Sequence, residues 1–281
     1  MTHAYVQLPQ GSSRGPTRGL GPFVSREELA LSDGSRLVWE SRWHRKHPRA
    51  IGIGSTWWAP RAIAWWIGVL FAIGSACFAL GALPSYADGV GTNLDNLTYF
   101  IGSIFFTTAA FLQYFETATT NPHLDRPAHR RFKQLFEVQH KRIDWWASLV
   151  QFVGTLWFNR TTFSAFVVGL GASTSHHPIW RPDAFGSICF LVSSWFAWAE
   201  VCHGRFAWRP DDISWWITLL NLVGSIAFGV SAIASYVTPN GQLVSLALTN
   251  IGTFVGAICF LIGGILLLPE RAASVVPTAS T

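Results

Sequence analysis

Long apolar segments that carry no charged side chain constrain the fold of this chain more than any other feature. Five segments contain no Lys, Arg, Asp or Glu: residues 62–83, 97–115, 184–199, 215–236 and 243–268. A helix of about 20 apolar residues is long enough to cross the hydrocarbon core of a membrane. A sixth segment, from Trp145 to about Gly171, has the length but carries Arg160. The pattern predicts an all-α polytopic membrane protein with six transmembrane helices.

The distribution of basic residues predicts the orientation of these helices. Of the 20 Lys and Arg residues, 18 lie on one side of a six-span arrangement, and only Arg160 and Arg181 lie on the other. Cytoplasmic loops carry an excess of Lys and Arg. We therefore expect a multi-pass protein of the bacterial inner (plasma) membrane with both termini in the cytoplasm. Because topology accounts for the net charge of +5, no nucleic-acid partner is expected.

Two sequence patterns each recur three times along the chain. Each odd-numbered predicted helix opens with a Trp pair, which a Gly and a Phe follow at fixed distances. Each even-numbered helix contains a Gly that a Glu follows fourteen residues later. These residues are Trp65, Trp66, Trp145, Trp146, Trp215 and Trp216, and the glutamates Glu116, Glu200 and Glu270. Because the chain has only seven Glu residues, this common register predicts three parallel helical-hairpin repeats around a pseudo-threefold axis.

The repeats divide the chain into predicted units. Residues 1–60 form a basic cytoplasmic N-terminal segment, which we expect to lie on anionic lipid at the cytoplasmic face. The hairpin repeats occupy residues 61–118, 144–202 and 215–270. A basic cytoplasmic linker, 119–143, and a shorter linker, 203–214, separate them, and residues 271–281 form a disordered tail.

The repeated Trp and Glu residues are the first candidates for function. The Trp pairs are expected to anchor the helices at the membrane interface, and ligand stacking is the alternative. The glutamates lie at helix C-termini, where the helix dipole disfavours an anion, so each is expected to have a partner. An indole N–H or a neighbouring Arg would supply a structural clamp. The alternative is a ring of three carboxylates that attracts cations at an inner pore mouth.

A second set of candidates consists of polar residues within the predicted spans. Arg160 is expected to extend towards the outer headgroups, and an anion pocket or an ion pair with Asp183 is the alternative. Gln151 and Asn221 each lie six residues after the first Trp of their repeat, where the first repeat has Phe71. We expect interhelical hydrogen bonds from these amides. Gln151, Arg160 and Asn221 would line a polar pocket in a transporter.

Four stretches of the sequence resemble bacterial YrhK-like membrane proteins. They are the Trp-Trp-Ile start at 65–78, the Asp-Trp-Trp-Ala-Ser-Leu-Val-Gln stretch at 144–156, the Trp-Arg-Pro-Asp-Ala-Phe-Gly-Ser-Ile-Cys-Phe stretch at 180–190, and the Gly-Ala-Ile-Cys-Phe start with its Leu-Leu-Pro-Glu end at 256–270. The similarity covers roughly residues 35–271 and implies the two-span repeat unit. It implies no activity, ligand or catalytic residue, and Arg160 departs from it, since the resemblance implies an apolar residue there.

Together these features favour a non-enzymatic structural, scaffolding or lipid-associated helical bundle. The sequence contains no nucleophile–base, metal-binding or nucleotide-binding motif, and Glu200-x-x-His203 resembles half of a di-iron motif without a second copy. No metal or cofactor is therefore expected. The alternative is a small channel or transporter with a pathway along the pseudo-threefold axis. A tight axis filled by Gly and Phe would favour the scaffold, and a polar cavity would favour transport.

Overall fold

The computed structural model is mostly helical, with a small sheet at its N-terminal end. It describes residues 13–31, 34–46, 57–119, 131–170, 180–204, 206–238, 240 and 242–270. Its elements are β1 (Ser13–Arg18), β2 (Arg26–Ala30), β3 (Arg36–Glu40), α1 (Ser41–Lys46), α2 (Ile63–Gly81), α3 (Pro84–Val90), α4 (Thr92–Thr119), α5 (Arg131–Gln134), α6 (Ile143–Gly169), α7 (Trp180–Val201), α8 (Ile213–Ala234) and α9 (Leu246–Glu270). The predicted tail 271–281 and residues 120–130 of the predicted linker lie outside the described residues.

Several helices have the length and composition of membrane spans. Within the described ranges, five helices qualify: α2, α4, α8, α9 and the part of α7 from Pro182 to Val201. The chain is therefore a multi-pass membrane protein. The remaining long helix, α6, has 27 residues but carries Asp144 and Arg160, so it is not among the five. Its crossing of the membrane stays a prediction.

The six long helices form a closed ring. Helix α2 packs against α4 and α9, α4 packs against α6, and α7 joins α6 to α8, which packs against α9. Neighbours along the chain are thus neighbours in space, as short connections between antiparallel helices favour. The ring encloses an apolar core, which includes Ile67, Phe71, Ile217 and Leu267.

Small residues let the helices within each sequential pair approach closely. A Cβ added at Gly74 would lie 2.9 Å from the carbonyl oxygen of Gly102. The same contact occurs between α6 and α7, where a Cβ at Gly186 would lie 3.2 Å from the oxygen of Gly154. It occurs again between α8 and α9, where a Cβ added at Gly256 would lie 3.1 Å from the carbonyl oxygen of Gly224. Backbone-to-backbone packing of this kind is how helices associate in lipid.

Three strands within residues 13–31 and 34–40 form an antiparallel sheet that the all-α prediction missed. Strand β1 pairs with β2, and β2 pairs with β3 from Arg26 opposite Glu40 to Ala30 opposite Arg36. Leu29 is buried, and so is Glu27, which binds Arg14 at 2.8 Å. The sheet leads directly into α1, so this part of the predicted basic segment is a folded unit.

The close approach of α2 and α4 predicts that Gly74→Ala destabilises the protein. The new methyl group would meet the backbone oxygen of Gly102, which cannot move without shifting the helix, so we expect a loss of about 1–3 kcal/mol in the free energy of unfolding. SDS titration of the purified protein measures it. Gly229→Ala on α8 is the matched control, because a Cβ there meets nothing within 4 Å. Equal stability of the two variants would contradict the close packing.

Candidate functional site

Six phenylalanine rings fill the centre of the helix ring. Those from α2, α6 and α8 contact one another, with ring centroids 6.0–6.5 Å apart, and those from α4, α7 and α9 do the same at 5.8–6.4 Å. We call the six the phenylalanine core: Phe78, Phe106, Phe158, Phe190, Phe228 and Phe260. All six are buried. The cavity left at this level is about 10 Å³, which is at the lower limit of the roughly 10–15 Å³ that one water molecule needs.

The Trp pairs lie at one end of the bundle, which we call the tryptophan end. The second Trp of each pair donates its indole N–H to a backbone carbonyl six residues earlier: Trp66 to Pro60, Trp146 to His140 and Trp216 to Pro210, at 2.9–3.0 Å. The first Trp residues, Trp65 and Trp215, donate to carbonyls eight residues earlier, at 2.8 Å. These five hydrogen bonds run to the loops that precede the helices. None of them runs to the repeated glutamates.

The three repeated glutamates converge on the short helix α1 at the tryptophan end. Lys46 Nζ lies 2.7 Å from Glu116, and Arg42 Nε donates to Glu270 at 2.6 Å. Arg45 bonds both carboxylate oxygens of Glu200, at 3.0 and 3.2 Å. We call α1 and its carboxylate partners the ion-pair cap. The carboxylate ring therefore binds cations of the chain itself, and the partners come from about 70 to 230 residues away along the sequence.

Arg45 is a buried cation of the cap that pairs with two carboxylates. Besides Glu200, its Nη1 atom donates to Asp144 at 2.6 Å, and Arg142 also pairs with Asp144. Burial alone would lower the pKa of Arg45, but the charges of Glu200 and Asp144 outweigh burial and raise it. Arg45 thus stays charged, and Ser41 adds a 2.6 Å hydrogen bond to Glu200.

A second contact fastens the sheet to the end of α7. The Nδ1 atom of His203 lies 2.9 Å from Ser25 Oγ, and its Nε2 atom lies 3.6 Å from Glu40. His203 has a positive φ of 53°, which is uncommon outside glycine. Its side chain points to the sheet, and Glu200 points to α1. The described residues contain no group of three metal-ligating side chains.

A polar cavity lies between the phenylalanine core and α1. Gln151 and Asn221 line it, together with Phe71 at the corresponding sequence position. Gln113 donates to Gln151 at 3.0 Å, which is an interhelical hydrogen bond. We call this cavity the polar chamber; its volume is about 40 Å³.

Arg160, the third predicted pocket residue, does not line the chamber. Its side chain is exposed on α6, nine residues beyond Gln151 and away from the tryptophan end. No ion pair joins it to Asp183 in the described part of the chain, where Asp183 instead lies 3.5 Å from Ser235. This position suits a side chain that extends along the bundle surface to the headgroups.

The sequence contains a signal for the cap that was not used. Arg42, Arg45 and Lys46 are spaced i, i+3 and i+4, which places them on one helical face. The three cations on one helical face and the three glutamates at helix C-termini form matching sets, and their pairing could have been predicted from the sequence.

Comparison with known protein families, with curated proteins and with solved structures finds no match.

Removal of the Arg45 guanidinium is expected to destabilise the protein strongly. Arg45→Met leaves Glu200 and Asp144 short of a buried partner, which costs about 3–5 kcal/mol in the free energy of unfolding. SDS titration measures the loss. Arg61→Met, at an exposed position, should stay close to the parent protein. Adding Glu200→Gln to Arg45→Met should recover part of the loss; independent, additive losses would contradict the buried pair.

The sheet contact predicts a dependence of stability on pH. Burial would raise the pKa of Glu40, but nearby His203 and the charges of Arg26 and Arg209 lower it below 4.5. A carboxyl group whose pKa is lower in the folded state stabilises the fold at pH values above its unfolded-state pKa. This stabilisation is lost as the pH falls through the folded-state pKa. The parent protein should therefore lose stability on acidification more steeply than Glu40→Gln. SDS titrations at successive pH values test this, with exposed Glu137→Gln as the control, which should follow the parent.

Proposed function

We propose that the chain is a six-span protein of the bacterial inner membrane, built from three parallel hairpin repeats with both termini in the cytoplasm. At 1.5 Å per residue, helix α6 is about 40 Å long, which exceeds the ~30 Å hydrocarbon core. Its neighbours in the ring, α4 and α7, are both apolar enough to span. Arg160, exposed in the second half of α6, can extend towards the outer headgroups.

Three recurring contacts support the repeat. Each sequential helix pair has one close glycine crossing, each contributes two rings to the phenylalanine core, and the second Trp of each pair binds a carbonyl six residues earlier. Corresponding residues thus make corresponding contacts. The excess of basic residues at the tryptophan end supports its cytoplasmic orientation. The resemblance to YrhK-like proteins is consistent with this repeat unit and stays part of the proposal.

The function that the geometry supports best is that of a non-enzymatic, lipid-associated scaffold. Its membrane part would hold the N-terminal sheet at a fixed position on the cytoplasmic face, close to anionic lipid. The observation that carries this proposal is the closure of the bundle axis. The phenylalanine core leaves space for one water molecule at most, and α1 covers the tryptophan end through three ion pairs.

Transport along the axis is the second candidate, and the polar chamber favours it. Gln151 and Asn221 give the chamber hydrogen-bonding groups where a purely structural bundle needs none. A pathway would require the phenylalanine rings to separate and α1 to move. Neither movement is needed for a scaffold.

Flux through reconstituted protein distinguishes the two candidates. We expect liposomes that contain the full chain to release K⁺ and Cl⁻ no faster than protein-free liposomes, because the phenylalanine core blocks the axis. A pore-forming peptide added at the end verifies that the assay reports a leak. Flux above the protein-free level that falls in the Glu116→Gln, Glu200→Gln, Glu270→Gln triple variant would overturn the scaffold and support a cation pathway.

A further inference from the structure

Cationic side chains form part of the wall of the polar chamber. Its wall includes Arg42, Arg45 and Lys46 from α1, and it includes no Asp or Glu among the described residues. The carboxylates that pair with these cations lie outside the chamber lining. A solute inside the chamber therefore faces the cations and the amide groups, and no carboxylate side chain of the described residues lines the space around it.

Several donors of the chamber wall have no partner in the described part of the chain. Arg42 donates to Glu270 through Nε alone, so its Nη1 and Nη2 atoms have no hydrogen-bond acceptor among the described residues. Gln151 accepts a hydrogen bond through Oε1, while its Nε2 group and the side-chain amide of Asn221 donate none that the structure describes. Gln151 is 9% exposed. An acceptor inside the chamber would pair with these donors and so stabilise the fold.

The size of the chamber limits that acceptor. Its 40 Å³ holds roughly three water molecules at about 10–15 Å³ each. The floor is apolar, formed by Phe71, Ile217 and Phe260. A large organic anion does not fit, but a halide, nitrate, formate or bicarbonate does.

We propose that the polar chamber is a binding site for one small inorganic or carboxylate anion, held by Arg42 and by the side-chain amides of Gln151 and Asn221 beneath α1. Guanidinium and amide N–H groups are the donors that small oxyanions and halides accept. Once Arg142, which pairs with Asp144, is counted with the cap, four cations face four carboxylates. The anion therefore binds to oriented donors and not to a surplus of positive charge. This site goes beyond the scaffold role and needs no transport.

Anion-dependent stability of the full chain tests the site. In non-ionic micelles at constant ionic strength, replacing sodium gluconate by chloride, nitrate or formate should raise the melting temperature in a saturable manner, because ligand binds only the folded state. Gluconate is too large for the chamber and serves as the reference. The same rise produced by increasing gluconate, or no rise with any small anion, would overturn the site.

Variants locate the effect in the chamber. Gln151→Leu and Asn221→Leu each remove donors and should weaken the apparent anion affinity about tenfold or more, since a hydrogen bond to a charged group is lost. Asn159→Leu is the matched control on the same helix as Gln151; it lies outside the chamber lining and should retain the parent response. Unchanged affinity in both chamber variants would overturn the assignment.

A measurement on the parent protein avoids dependence on variants that fold poorly. The ³⁵Cl nuclear magnetic resonance line of chloride should broaden in the presence of the full chain, and formate or nitrate should displace the broadened fraction while gluconate should not. Broadening that gluconate displaces equally would place the chloride on exposed basic residues and overturn the proposal. Because all these measurements are made in micelles, they are independent of whether the liposomes show flux.

Discussion

The buried ion pairs between α1 and the ends of α4, α7 and α9 hold the N-terminal unit to the membrane bundle. Glu116, Glu200 and Glu270 are nearly inaccessible to solvent, and an unpaired carboxylate at that depth is strongly disfavoured. The cations of α1 would be equally disfavoured without partners, since Arg45 and Lys46 are buried as well. Neither side can be buried alone, so the sheet and α1 on one hand and the bundle on the other depend on each other for this end of the structure.

Beyond the ion-pair cap, the helices of the bundle pack against one another through uncharged residues. The glycine crossings bring the backbones of each sequential pair together, and the space on the axis is then filled by the phenylalanine core. Aromatic rings at these distances gain energy from edge-to-face contacts in addition to their buried area. The polar chamber lies between the phenylalanine core and the cations of α1, because the rings of the core do not extend as far as α1.

Local patterns in the sequence predict the helical bundle well and the cap poorly. Charge-free runs locate the five spanning helices, since each run reflects the bilayer directly. The misplaced glutamates indicate a need for partners, and the register of Gln151 and Asn221 places both residues in one chamber. The sheet and the identity of the partners were missed, because both depend on contacts far apart along the chain. Arg160 was grouped with the chamber by polarity alone, and its helix carries it two residues past Phe158 of the phenylalanine core, on the exposed surface of the bundle.

Small differences between the proposed repeats fix how α1 binds to a nearly symmetric surface. Three equivalent glutamates would accept α1 in three orientations. The residue before each Trp pair breaks this equivalence, since it is Ala64 in the first pair, Asp144 in the second and Ser214 in the third. Asp144 gives the second position two carboxylates, which suits the bidentate guanidinium of Arg45, and Ser214 donates to Glu270 at 2.8 Å. The first position keeps a single carboxylate for the ammonium of Lys46, so one orientation of α1 satisfies all three.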